Sequence, residues 1–163
     1  RYVENRNGAF YQTPVSLEKY ADSSECFEKR NFTGTIEAKG EIYELIIKGR
    51  GVKKFVLEVK KSDTETTKIE IKEGFLVFDR SQSGERIDGA EKDELSLAHI
   101  RKMPLNDAEN PDMHIAVDRF SVEIFSEGKS MSNTVYPRSD ADGVTLNVAA
   151  EFIVMKLNRL NFS

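Results

Sequence analysis

From Glu25 onward, apolar and polar residues alternate in short runs separated by turn residues, which reads as strand after strand. In KFVLEVKK (54–61), Phe55, Leu57 and Val59 fall on one face, with Val56, Glu58 and Lys60 on the other. In TKIEIKE (67–73), Ile69 and Ile71 alternate with charge, the pattern of a sheet with one wet face. The pattern predicts strands over 35–39, 42–48, 55–61 and 66–72. Phe75-Leu76-Val77-Phe78 is apolar on both faces and predicts a central strand. Met113, Ile115 and Val117 alternate again, and further strands are expected over 129–136, 143–149 and 152–160. Glu73-Gly74, Glu127-Gly128 and Asp142-Gly143 each place glycine where a turn uses positive φ. The segments 88–94 and 106–112 are expected to be loops. With no convincing amphipathic helix, the chain is predicted to be all-β, an antiparallel sandwich or barrel.

The stretch HIAVDRFSVEIF (114–125) tests whether this sheet carries chemistry. Ile115 and Val117 end one strand, and Val122 and Ile124 begin the next. Asp118-Arg119-Phe120-Ser121 is then the reversal, with the Asp118 carboxylate accepting a backbone N–H from two residues on. Arg119 projects from it toward an acid or a neighbouring surface, and Glu123 falls opposite Val122 and Ile124. A second hairpin turns through Ser126-Glu127-Gly128-Lys129. The acids of this meander are read as structural.

The N-terminal segment behaves differently. RYVENRNGAFYQTPVSLEKY (1–20) shows no sustained period; residues before Pro14 are extended, and Ser16 is placed to cap a short helical turn. Residues 1–22 are therefore predicted to be a connector and 23–163 the sandwich. The first residue is Arg1 rather than Met, and the chain is expected to be a fragment of a longer protein.

Composition narrows the function. A length of 163 residues fits one domain with a sizeable core, and the net charge of -4 disfavours nucleic acid. The basic stretch 48–61 reads as one solvated strand face. No apolar run reaches the length of a membrane span. Cys26 is the single cysteine, so no internal disulfide forms, and it is expected to be a partly buried small hydrophobe. His99 and His114 are the only histidines and have no ligand-spaced neighbours, so no metal site is expected. Ser139-Asp140-Ala141-Asp142-Gly143 resembles the opening of a calcium loop, but Val144-Thr145-Leu146 follows at once, so a turn closed by Gly143 is preferred. There is no nucleophile elbow, no phosphate-cradling loop and no paired-carboxylate pocket; the chain has no Trp to stack on a sugar. No catalytic residue and no cofactor is therefore assigned. Asn31-Phe32-Thr33 and Asn161-Phe162-Ser163 fit the N-glycosylation pattern, which matters only in a eukaryotic secretory setting.

Two motifs in order then resemble a known family. FLVFDRSQSG (75–84) carries Asp79, Arg80, Ser81, Ser83 and Gly84; HIAVDRFSVEIFSEGKSMSNTVYP (114–137) carries Asp118, Arg119, Ser121, Glu123, Phe125, Gly128, Tyr136 and Pro137. Together they resemble the C-terminal domain of glycoside hydrolase family 32, the β-fructosidases (invertases, levanases, inulinases and sucrose-6-phosphate hydrolases). FYQTPVSLEKY (10–20) is similar to the segment leaving that family's catalytic domain. The resemblance implies a two-sheet β-sandwich, concanavalin- or jelly-roll-like, behind a short N-terminal connector, with the motif residues structural. It implies a non-catalytic accessory domain whose partner is an N-terminal five-bladed propeller of the same chain, which carries the catalytic acids. It admits a second copy of the chain and a weakly held carbohydrate as further partners; a fructan-binding module is the alternative reading. Glu25-Cys26 reproduces the family's acid/base dipeptide, but without the following Pro or any nucleophile motif, and is read as coincidence. Phe120 departs from the small residue of the family pattern, and the loop 106–112 is longer than that pattern. The isolated chain is expected to be inactive. The parent's substrate and its compartment, secreted or cytoplasmic, stay open.

Overall fold

A computed structural model describes residues 1–85, 87, 99–138 and 140–162. The strands are β1 (Tyr2–Arg6), β2 (Ala9–Thr13), β3 (Ala21–Lys39), β4 (Tyr43–Arg50), β5 (Lys54–Lys61), β6 (Thr66–Lys72), β7 (Phe75–Gln82), β8 (Ile100–Pro104), β9 (Asp112–Val117), β10 (Ser121–Ser126), β11 (Lys129–Thr134) and β12 (Gly143–Leu160). The helix among the described residues is a single 3₁₀ turn, Glu18–Tyr20; its N-cap is Leu17 without a side-chain bond, so Ser16 does not cap it. The segment predicted as loop over 88–94 lies outside the described residues, as do Ser139 and Ser163.

Among the described residues all pairings between these strands are antiparallel, and the strands form a two-sheet β-sandwich organised by β3 and β12. Along its full length β12 pairs with β3 on one side. On the other side its first half pairs with β5 and its second half with β4. One layer is thus β3–β12–β4–β9–β10–β11 and the other β3–β12–β5–β6–β7–β8. The hydrophobic phase of β12 records the change of layer. Val144, Leu146, Val148 and Ala150 are buried, Glu151 is exposed, and then Ile153, Met155 and Leu157 are buried. A strand with period two reverses its faces only by rotating the backbone, which bulges and corners do. Opposite Glu151 lies Asn31 at φ 47°, and a Cβ on Gly51 (φ 55°) would sit 2.6 Å from the Glu151 side chain. The predicted strands over 143–149 and 152–160 are therefore one strand bent at this corner.

The core between the layers is built from the inward positions: Leu45 and Ile47, Leu57, Ile69, Leu76 and Phe78, Ile115, Val122 and Ile124, Leu146 and Leu157 among them. Each such side chain removed from water contributes roughly 1.5–3 kcal/mol. β7 lies between β6 and β8, with Leu76, Val77 and Phe78 buried, as an apolar run on both faces predicts.

Two expectations about turns and faces need correction. Gly143 is not a positive-φ turn residue; it stands at the start of β12, where a Cβ would come within 2.8 Å of the Lys61 carbonyl oxygen. Close backbone approach is the reason for glycine there. Lys60 does not lie on a solvated face either. It has φ 48°, the β5–β12 register shifts beside it, and it is 3% exposed, its Nζ donating to the Glu41 carbonyl at 2.6 Å. The bulge turns the ammonium inward. Glu73-Gly74 and Glu127-Gly128 do pair two positive-φ residues each, as does Asn7-Gly8, the arrangement whose twist suits two-residue hairpins.

The Asn7-Gly8 turn was not expected: β1 and β2 form a hairpin inside the segment predicted as a connector without sustained period. Gln12 N–H donates to the Gly128 carbonyl at 2.7 Å, which sets the hairpin against the β10–β11 turn.

Candidate functional site

Two regions gather the residues singled out in the sequence. One is a clasp between the layers. Gly84 forms a bridge with Tyr136, and Glu85 N–H donates to the Tyr136 carbonyl at 2.9 Å. Arg80, 8% exposed, donates from Nη1 to the Thr134 carbonyl at 2.7 Å, and its own N–H reaches the His99 carbonyl at 2.9 Å. Burial, and then the neighbouring Arg101, push the Arg80 guanidinium below its ordinary value. Asp79 Oδ1 accepts the Ser81 N–H at 2.9 Å, and buried Ser83 accepts from Thr67 Oγ1 at 2.7 Å. Glu65, also buried, accepts the Arg138 N–H at 2.7 Å just beyond Pro137. The motif at the end of β7 thus meets the segment after β11, far away in sequence.

The second motif makes the turns of β9–β10–β11. Asp118 Oδ1 accepts N–H groups of Phe120 at 2.8 Å and Ser121 at 2.7 Å, the local cap expected of it. Arg119 projects outward and pairs with Glu41 at 3.3 Å. Beside Gly128 the Tyr11 ring packs so closely that a Cβ would lie 2.3 Å from it. Glu127 accepts N–H groups of Asn106 at 2.7 Å and Asp107 at 3.0 Å, pinning the long loop that follows β8. Burial alone would raise the Glu127 carboxyl, but these two bonds and Lys129 outweigh it and hold it below its ordinary value. A carboxylate so depressed stabilises the fold above its unfolded value and loses that contribution as pH falls through the folded one. Acidification from about pH 5 downward is thus expected to speed hydrogen exchange at the Asn106 and Asp107 amides before the core amides. Uniform exchange across the domain would contradict this.

The other region is the outer face of the β4-containing layer. Strand register places Ser130, Phe125, His114, Ile46, Lys156 and Cys26 in one row across it, and Ser132, Glu123, Ala116, Glu44, Asn158 and Ser24 in the next. Glu44 is only 2% exposed although it faces away from the core. Its Oε2 lies 2.8 Å from His114 Nε2, Asn158 Nδ2 donates to its Oε1 at 2.8 Å, and Ser24 Oγ donates to Asn158 Oδ1 at 2.7 Å. Pro14, Ser16 and Glu18 run over this chain of polar groups, enclosing with Ile46 and Lys156 a cleft of ≈ 290 Å³. Phe125 is buried on the same face. Near it Arg1 pairs with Glu123 at 2.6 Å, and Gln12 Oε1 accepts Ser130 Oγ–H at 2.8 Å. The segment 1–20 is therefore a strap across this face. No period marked Glu44, His114 or Asn158 as partners; only the pairing of β4 with β9 and β12 does. Exposed Val3 and Phe10 are diagonal neighbours on one face of the β1–β2 hairpin.

Glu25 and Cys26 are separated by the pleat: Glu25 pairs with Arg159, while Cys26 is exposed on the outer face rather than partly buried. Among the described residues no three His, Cys, Asp or Glu side chains come together as metal ligands, and no helix is long and apolar enough to cross a membrane.

Comparison with known proteins agrees with this geometry. Residues 13–162 match the family described as glycosyl hydrolases family 32, C terminal. A fructan β-fructosidase of Streptococcus mutans is 28% identical over 160 residues, covering 88% of this chain and 11% of its own. The fold is shared with sucrose-6-phosphate hydrolase from Lactobacillus gasseri (TM-score 0.76, 22% identity, 98% of this chain and 32% of that one). It is shared too with exo-inulinase from Aspergillus awamori (TM-score 0.72, 18% identity, 98% of this chain and 34% of that one). The chain thus spans about a tenth of that curated relative and about a third of each solved one. From its motifs, its sandwich and the matched range, the chain belongs to the family of glycosyl hydrolase family 32 C-terminal domains.

Proposed function

We propose that this chain is a non-catalytic accessory domain that stabilises the catalytic domain of a fructan- or sucrose-cleaving β-fructosidase of the same chain. The observation that carries it is the exposed Val3–Phe10 face of the β1–β2 hairpin. All of the hairpin but Thr13 precedes the matched range, which starts at residue 13, yet it is strapped to the sandwich through Gln12, Tyr11 and Arg1. An apolar face left bare at the start of a C-terminal domain is what an interdomain contact leaves when cut away. The family motifs support a structural role as well, since Arg80 and Asp118 bond backbone groups within the domain and Gly84 bridges to Tyr136. The sandwich proper is taken to begin at residue 23, the hairpin and strap being the connector.

The chain alone is expected to release no fructose from sucrose, inulin or levan. In the full-length enzyme, Val3→Ser with Phe10→Ser is expected to lower the melting temperature of the catalytic domain, since each covered side chain contributes roughly 1.5–3 kcal/mol. Hydrolysis above blank by the chain, or an unshifted melting curve in the double variant, would refute the respective half of the reading.

A further inference from the structure

A sheet edge left open accepts another strand, and the edges of this sandwich are closed to different degrees. The β11 edge is covered by the hairpin, through the Gln12 N–H bond to the Gly128 carbonyl and the Ser130 hydroxyl bond to Gln12. The β8 edge is five residues long and ends at Pro104, which has no N–H to offer. β3 has nineteen residues and, among the described residues, pairs with β12 alone. Its stretch 23–30 is regular, between the register shift at Arg159 and Leu160 and the corner residue Asn31 at φ 47°. The bonding phase of this stretch follows from its neighbours. Leu160 N–H donates to the Ile42 carbonyl at 2.9 Å, so in this half of β12 the even-numbered residues address β4. Bonded and non-bonded pairs alternate along an antiparallel ladder. Ser24, Cys26, Glu28 and Arg30, which oppose those residues of β12, therefore turn their N–H and C=O groups to the open edge.

The side chains on this edge select its partner. A second copy pairing antiparallel about a two-fold axis sets one residue opposite itself, and all others follow. An axis at Glu25, Glu28 or Lys29 opposes like charges, which destabilises a cross-strand pair. An axis at Cys26 sets Glu25 against the Phe27 ring. An axis at Phe27 satisfies every position: Glu25 faces Lys29, Cys26 faces Glu28, and Ser24 faces Arg30. Phe27 itself, half-buried against the core beside Met155, meets its own copy and closes the open end of the apolar layer. Aromatic and opposite-charge cross-strand pairs are the stabilising kinds. The four outward residues then oppose one another, Ser24 with Arg30 and Cys26 with Glu28, giving about eight backbone bonds between the copies. We propose that the free edge of β3 is a homodimer interface, two copies of this chain pairing through 24–30 about a two-fold axis at Phe27, so that their β4-containing layers form one continuous sheet. Its self-complementary charge pattern fits a second copy of the chain and makes no use of the hairpin face.

The test is sedimentation equilibrium of the chain and of the full-length enzyme under reducing conditions. Both are expected to dimerise, with a dissociation constant of roughly tens of micromolar for so small an interface. Two variants address the edge and leave the β3–β12 ladder intact. Glu28→Pro removes an N–H that points to solvent in the single copy, a place where an edge strand tolerates proline, and is expected to give monomers. Lys29→Glu changes an exposed side chain whose ammonium lies over the Phe32 ring at 5.9 Å, and sets it against Glu25 of the other copy. It is expected to weaken the dimer roughly tenfold. The axis is read by cross-linking. Glu28→Cys is expected to give a covalent dimer on mild oxidation, since position 28 of one copy faces Cys26 of the other at about 5.5 Å between Cα atoms. Monomers of both proteins at several hundred micromolar, or dimers unaffected by Glu28→Pro and Lys29→Glu, overturn the interface. Dimers lost in Val3→Ser with Phe10→Ser instead place the contact on the hairpin face. A full-length enzyme that stays monomeric while the chain dimerises gives the edge to the parent's own catalytic domain and overturns the homodimer. Oxidation that links the unsubstituted chain as readily as Glu28→Cys overturns the axis at Phe27. The melting of the full-length double hairpin variant tests the accessory role separately.

Discussion

Replacing Gly84 by alanine is expected to destabilise the domain by about 3 kcal/mol. Its φ of 71° costs an L side chain roughly 1–2 kcal/mol. The added Cβ would stand 2.1 Å from the Tyr136 carbonyl oxygen and 2.7 Å from a Glu65 carboxyl oxygen. The first of these is backbone, so relief requires the strand end to move. That movement pulls on the Gly84–Tyr136 bridge and on the Glu85 N–H bond to Tyr136, and a lost hydrogen bond costs about 0.5–1.5 kcal/mol. Since the chain lacks Trp, urea unfolding is best followed by circular dichroism. A loss below about 1 kcal/mol would mean that the clasp yields without strain, and that its motif has another reason.

Replacing His114 by leucine is the second large effect. It leaves the Glu44 carboxyl, 2% exposed, with Asn158 as its remaining partner, at an expected cost of about 2–3 kcal/mol. Breaking a buried polar pair harms more than replacing both members with apolar groups of similar volume. Glu44→Met combined with His114→Leu is therefore expected to lie closer to the parent in stability than His114→Leu alone. Additive losses in the double variant would show that the 2.8 Å contact contributes nothing.

The strands were readable because most positions alternate between one dry and one wet environment, and the turns because Glu73-Gly74 and Glu127-Gly128 require positive φ. The clasp and the turns also stood in the sequence as two motifs, through the family resemblance. That the motifs touch did not, because the Arg80–Thr134 bond joins residues 54 apart in sequence. The β1–β2 hairpin was invisible since Val3 and Phe10 are exposed and no residue of either strand is fully buried, so no alternation of burial marks it. Lys60 misled because the β5 pattern assumes an unbroken pleat, and a bulge beside it rotates one lysine inward. The Glu44–His114 contact is a product of register between β4 and β9 and leaves no local trace. Cys26 follows the same logic: its row is set by β12, and the edge position of β3 leaves it open to water.

The place of β12 in the sheets also fixes the order of assembly. Every layer contains it, and its partner β3 is made more than a hundred residues earlier. Hairpins such as β9–β10 and β10–β11 close locally and early, but the runs β4–β9–β10–β11 and β5–β6–β7–β8 are joined neither to each other nor to β3 until β12 leaves the ribosome. Long-range closure of this kind is slow. Until then the strands on both flanks hold unpaired edges, so the domain enters its native state as a single late event rather than strand by strand.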